Sequence, residues 1–422
     1  MHQFIRRLQG SSFLRYNFIF FTGSIAVSFL NYLYYPVLGR LMPPAGFGEV
    51  QALISFFLQT AVFLQVLGMV TIGVIKKYED PSERNAVTVE LEWLALLAGA
   101  AAFIVIVLAS PWLQSFLRFD SLVPFILFAL AVFLGIPLAL SNAFLQGLKR
   151  FGAVVYVNLT TSGVKLVISA GLVALGFGTG GAMLGLVVAS AIAVAYSYHL
   201  ATRAGRPRFT WLRRWPNLAL IRPELRYAGL VFVTSLVVNV SLSIDIIAVK
   251  HFFPPAVAGL YAGIATIARI IFFITGPFVP VLVAAVSLRD PATNRALLIR
   301  SLALLTLLGG ATLVAFTLAP QFIITILLGS KYLAYSAQLP RLSLAIFILS
   351  VANLLVSYYV ALRRRRVALA AAIGLLSMVI LLGFQHQSVG AVVTSLIEGS
   401  LTFLILVVVV ISWNIKPRRA AL

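Results

Sequence analysis

Two cations pose the chemical question. Lys165 and Arg269 each stand about ten residues inside a long apolar run, and at about 1.5 Å of rise per residue that is about 15 Å deep, the middle of a hydrocarbon layer about 30 Å thick. A cation at that depth costs about 2.5–3.5 kcal/mol even on the mildest insertion scale. The chain must therefore supply an anion or water. Glu398, at similar depth near the end of the chain, and Asp245, nearer the end of its apolar run, are the available acids. Two arrangements satisfy the charges: buried ion pairs, or a wet cationic cavity to which both halves contribute. The second is the expectation, with Lys165 and Arg269 as anion-binding groups and Glu398 and Asp245 as candidates for ion coupling.

Polar side chains recur on one face of several apolar runs. Ser24, Ser28 and Asn31 fall at i, i+4 and i+7, and Ser235, Asn239 and Ser243 follow a similar spacing, which puts each set on one helical stripe. Gln51, Ser55 and Gln59 form another, matched later by Thr266 and Arg269. Asn158, Ser162, Lys165 and Ser169 line a fifth. Such groups serve as interhelical glue worth about 0.6–2 kcal/mol each, or they replace water around a polar substrate. The substrate set expected from this reading is Arg269, Lys165, Asn31, Ser28, Gln51, Ser55, Gln59, Asn158, Asn239 and Thr266. Glu90 and Glu92 follow Thr88 at the expected start of a helix, where first-turn carboxylates suit the helix dipole; they are read as structural.

Other chemistries lack their residues. There is no cysteine, hence no disulfide or thiolate. The four histidines (His2, His199, His251, His386) lack metal-ligand spacing, so no metal or cofactor is expected. No Walker-type phosphate loop occurs, and the Gly176–Gly181 stretch reads as a tight turn between apolar runs. Catalytic groups in the connecting loops are almost absent, so the chain reads as a non-enzyme.

The elements that position these residues are membrane helices. Of 422 residues 61% are hydrophobic and 10% charged, against about 45–50% and about 25% in soluble domains. Twelve spans are expected, near 16–39, 49–75, 88–110, 122–145, 153–175, 181–201, 227–250, 259–285, 297–319, 339–361, 367–385 and 389–412. The net charge of +21 follows from topology. With the N-terminus in the cytoplasm, 25 Lys and Arg fall on the cytoplasmic side and 5 outside, the bias expected of a multi-pass protein with both termini cytoplasmic. Nucleic acid is thereby discounted as a partner. The first apolar segment reaches spanning length, so a cleavable signal peptide is not expected there.

The basic stretch 202–226 reads as a linker between an N-terminal six-helix lobe (1–201) and a C-terminal one (227–422). Pro43-Pro44-Ala45-x-x-Gly48 recurs as Pro254-Pro255-Ala256-x-x-Gly259, an offset of 211. At that offset Ser24 falls on Ser235 and Ser28 on Asn239. Two parallel repeats of six helices around a central cavity, an all-α polytopic membrane protein, account for the pattern. Gly276-Pro277 and Pro280 are expected to break the cytoplasmic half of the eighth span.

Leu38-Gly39-Arg40-Leu41 through Gly46-x-Gly48 and the loop Leu145-Gln146-Gly147-Leu148-x-Arg150-Phe151 resemble those of polysaccharide-export flippases. So do Asp245 through Gly259-Leu260-Tyr261 and Leu328-Gly329-x-Lys331-Tyr332. These flippases belong to the multidrug/oligosaccharidyl-lipid/polysaccharide exporter superfamily, and the resemblance covers nearly the whole chain. It implies two six-helix lobes in a bacterial or archaeal cytoplasmic membrane and first, second, seventh and eighth helices facing the cavity. It further implies alternating-access transport of an undecaprenyl-diphosphate-linked oligosaccharide, an O-antigen or exopolysaccharide unit. Lipid-linked glycan, membrane lipids and the polysaccharide polymerase or glycosyltransferase machinery are the implied partners. The alternatives are a multidrug extruder of the same superfamily, a membrane-embedded glycan ligase or glycosyltransferase, and a non-transporting scaffold.

Overall fold

In the bilayer every backbone N–H and C=O must find a partner within the protein, which leaves long apolar segments no choice but helix. The computed structural model describes residues 12–78, 80–206, 222–286 and 291–415, and within them every regular element is helical. Ten helices among the described residues are long and apolar enough to cross a membrane, and a bent pair makes an eleventh. Ser12–Leu41 occupies the place of the expected first span. Pro44–Lys77, Pro81–Leu117, Val123–Gly147, Phe151–Ala174 and Gly178–Arg203 are the second to sixth. The ninth to twelfth are Pro291–Leu318, Gln338–Ala361, Arg365–Phe384 and Val389–Ile415.

The third span begins earlier than the hydropathy suggested. Asp80, not Thr88, caps it: the Asp80 carboxylate accepts from the Glu83 N–H at 3.2 Å, with Pro81 in the first turn. Bonds from the Ser82 hydroxyl and then the Glu83 N–H hold Asp80 below the usual carboxylate range. Glu90 and Glu92 therefore lie in the body of the helix, beyond reach of its positive end.

The seventh and eighth spans are interrupted. The seventh is Arg222–Ser241 followed by Ile244–Phe252, bent by 45°. At the bend the Ser241 and Ser243 hydroxyls donate to the carbonyls of Val237 and Asn239, four residues back, a competition that favours bending. The eighth runs Pro255–Ala268, Ile270–Thr275 and Phe278–Ala285. It breaks at the expected Gly276-Pro277, and also at Arg269, which no helix-breaking residue announced.

By internal packing the chain divides into Met1–Met42 with Thr60–Ala228, and Pro43–Gln59 with Gly229–Leu422. The second span is thus shared, its first part counting with the C-terminal helices. The expected linker 202–226 falls for the most part on 207–221, outside the described residues. In the N-terminal unit the first span packs on the fifth, the third on the fourth, and the fourth and fifth on the sixth. Its cores include Leu67, Val70, Leu91, Ile136 and Leu140, and separately Ile75, Phe144, Leu145 and Val154. A Cβ on Gly147 would lie 2.9 Å from Ile75, so the fourth-to-fifth turn needs glycine for close approach. In the C-terminal unit Leu282, Leu305, Leu354 and Tyr358 form a core, and the eleventh and twelfth spans pair closely.

Candidate functional site

Three residues of the N-terminal unit converge from two helices. Asn31 and Tyr34 stand three apart on the first span, hence on one face. Lys165, midway along the fifth, reaches both: Nζ donates to Asn31 Oδ1 at 2.6 Å and lies 4.7 Å from the centre of the Tyr34 ring. Seven residues back on the same face, Asn158 accepts a bond from Asn142 of the fourth span at 3.1 Å. Among the described residues no carboxylate pairs with Lys165. Its charge meets only an amide oxygen and a ring face, the latter worth about 0.5–2 kcal/mol. Ser28, one turn before Asn31, is exposed.

Arg269 is different. In the C-terminal unit its Nη2 donates to Asp245 Oδ1 at 2.5 Å and its Nε to the Leu242 carbonyl at 2.8 Å. Tyr261 Oη also donates to Asp245, at 2.9 Å. Arg269 is 8% exposed and Asp245 2%. Of the two arrangements expected for the charges, Arg269 shows the buried ion pair: Asp245, in the first turn after the break of the seventh span, is its counter-ion. Asp245 in turn accepts from both Arg269 and Tyr261. Glu398 stands apart, exposed on the twelfth span and without an ion pair among the described residues.

At the repeat offset of 211, Asn31 corresponds to Leu242 and Tyr34 to Asp245. Each cation therefore addresses the same two register positions on the opening helix of its half, one finding an amide and a ring, the other a carbonyl and a carboxylate.

The remaining stripe residues spend much of their polarity on their own helices. Ser55 donates to the Gln51 carbonyl, Thr266 to that of Ala262, and Asn239 to that of Ser235. Gln51 is buried with its Nε2 unpaired, and Gln59 is half-buried. The two Pro-Pro-Ala-x-x-Gly motifs meet. Helices begin at Pro44 and Pro255 alike, and a Cβ on Gly259 would sit 1.7 Å from the Pro44 carbonyl oxygen. Glycine is required there because two backbones touch. Nearby, Lys250, 1% exposed, lies 3.8 Å from Glu49, and Tyr332 packs edge-on against Phe47.

Sequence reasoning missed Tyr34, Asn142 and the Glu49–Lys250 contact. Tyr34 was discoverable, sharing the Asn31 face; the other two depend on tertiary packing. It also left Glu92 unpartnered, whereas Arg206 Nε donates to Glu92 Oε1 at 2.8 Å, both side chains 3% exposed, and Arg206 bonds to Ser141 as well.

The sequence profile of a family described as "Polysaccharide biosynthesis protein" matches residues 37–337. No curated protein matches the chain in sequence. Among solved structures, an inward-facing multidrug resistance MATE family transporter of the MOP superfamily superposes with a TM-score of 0.75 at 14% identity, covering 92% of this chain and 93% of that one. The lipid II flippase MurJ, in an inward closed conformation, gives 0.73 at 14% identity over 94% and 87%. A MOP superfamily transporter from Pyrococcus furiosus, described as having a binding pocket of reverse polarity, gives 0.63 at 15% over 95% and 94%. At these identities the likeness establishes the fold.

Proposed function

The chain belongs to the polysaccharide biosynthesis protein family, and from that premise we propose that it is a flippase for an anionic, lipid-linked oligosaccharide. The substrate we assign is an undecaprenyl-diphosphate-linked repeat unit. It crosses the cytoplasmic membrane by alternating access, with both termini on the cytoplasmic side. The protein acts as a transporter, making and breaking no covalent bond.

One observation carries the reading: Lys165 is a mid-helix ammonium with no carboxylate partner among the described residues, steadied by Asn31 and Tyr34. Such a group persists in an apolar helix only where its charge is used. A diphosphate supplies two close negative charges, and charge-assisted hydrogen bonds to them are the strong kind. Asn158, on the same face, and its partner Asn142 of the fourth span offer amides to sugar hydroxyls. The prenyl chain needs no polar group and stays in lipid.

The test is reconstituted transport. Proteoliposomes carrying the purified protein and a fluorescent prenyl-diphosphate-linked glycan should move it across the bilayer, and Lys165→Met should stop this. Equal movement by the variant would reject the assignment. A second reading, a cation extruder, rests on Glu398, an exposed mid-helix carboxylate without an ion pair among the described residues. It demands that lipophilic cations be transported and that Glu398→Gln abolish their transport while Lys165→Met leaves it intact.

A further inference from the structure

We propose that Arg269 is a positioning residue: with Asp245 and Tyr261 it clamps the bend of the seventh span, and it acts on transport through that helix rather than by touching substrate. The proposal rests on the transporter reading above for its consequence, and on the C-terminal unit alone for its geometry.

A helix that breaks leaves carbonyls on one side of the gap and N–H groups on the other without partners. At this break Leu242 directly follows the first segment and Asp245 lies in the first turn of the second. Arg269 joins them: Nε takes the Leu242 carbonyl and Nη2 the Asp245 carboxylate. The planar fork of a guanidinium can hold two acceptors in fixed relation, which an ammonium is unable to do. Asp245 sits where a carboxylate favours the positive end of its short helix, and Tyr261 fixes its other oxygen. All the contacts come from the eighth span, which itself breaks at Arg269. The two broken helices are therefore locked to each other at their breaks.

The lock is incomplete. Arg269 Nη1 is buried and has no hydrogen-bond partner among the described residues, and a buried donor left unmade disfavours the state that contains it. The bent arrangement is thus held by two bonds of Arg269 and opposed by one unfilled position, as a device that must open in each transport cycle requires. Straightening a 45° bend swings the outer segment, nine residues or about 13 Å long, through about 10 Å at its tip.

Spin labels read this directly in the cysteine-free chain. Distances are measured from Gln387→Cys, on the exposed eleventh-to-twelfth turn, to His251→Cys on the outer segment and to Val233→Cys on the inner one. We expect Arg269→Lys and Asp245→Asn to add a second population in which one of these distances shifts by up to about 10 Å. Tyr261→Phe, a milder change that keeps the ion pair, should raise the same population less. All three should slow transport yet bind a prenyl diphosphate within twofold of the parent. Unchanged distance distributions in all three variants would overturn the clamp, whether or not their thermal stability falls. A tenfold loss of prenyl-diphosphate binding in Arg269→Lys with unchanged distances would instead make Arg269 a direct substrate contact. Failure of the substrate reading shows elsewhere, as prenyl-diphosphate binding indifferent to Lys165→Met, and leaves the distance result standing.

Discussion

Replacing Lys165 with methionine separates a functional cation from a structural one. Methionine keeps the length of the side chain and its apolar stem, and removes the bond to Asn31 and the charge above Tyr34. A hydrogen bond to a charged group contributes about 1.5–3 kcal/mol, so losing the equivalent bond to a bound diphosphate weakens affinity about 10- to 150-fold. Stability should change little. Removing a mid-membrane cation recovers up to about 2.5–3.5 kcal/mol of insertion cost, which offsets the loss of about 1.5–3 kcal/mol from the charge-assisted bond that Lys165 donates to Asn31. Lys165→Met should therefore be about as stable as the parent, while binding far more weakly. The assays are thermal unfolding in detergent and titration of nanodisc-embedded protein with a prenyl diphosphate. Lys165→Arg, which retains charge, should keep affinity within about tenfold. A methionine variant that binds normally and melts earlier would refute the argument, because it would make Lys165 a brace between the first and fifth spans.

Three further outcomes are expected. Glu92→Ala strands the buried Arg206 and should destabilise the protein by about 3–5 kcal/mol in thermal or denaturant unfolding, while Glu92→Met combined with Arg206→Leu restores most of that. Gly259→Ala forces apart helix starts whose backbones touch, at a cost of about 1–3 kcal/mol; oxidative cross-linking of Ala45→Cys to Ala258→Cys should form in the parent background and fail in the variant. Glu398→Gln should abolish the response of transport to an imposed proton gradient and spare prenyl-diphosphate binding, and a response like that of the parent would exclude Glu398 as the coupling group.

The helices were legible in the sequence because a bilayer enforces them. Runs of about 20 apolar residues leave no other backbone solution, and the Lys and Arg distribution orders the connections. Helix ends were less legible: hydropathy marks where lipid begins, whereas the third span extends to Pro81 because Asp80 caps it. The site was half legible. Lys165 and Asn31 were singled out by type and spacing, and the structure joins them across 134 positions of chain. Arg269 was singled out on the same logic, and which acid meets it was left open between Asp245 and Glu398. The break after Ser241 is what brings Asp245 to it, and Ser241 and Ser243 look in sequence like a polar stripe rather than a bend. Glu92 and Arg206 are separated by 114 positions, and no periodicity links residues so far apart.

The two cations, alike in sequence, differ in what their register partners supply, and that difference has a thermodynamic reason. Two uncompensated charges at mid-depth would burden insertion by about 5–7 kcal/mol, a large part of the stability of any domain. Two fully paired ones would present a neutral surface to a diphosphate and bind it poorly. Placing leucine and aspartate at positions 242 and 245, where the first half has Asn31 and Tyr34, neutralises one cation and leaves the other free. The paired cation then fixes helix geometry and the free one holds charge. On the proposed function anion affinity depends on Lys165 and helix movement on Arg269, so mutations in the two should separate binding from transport.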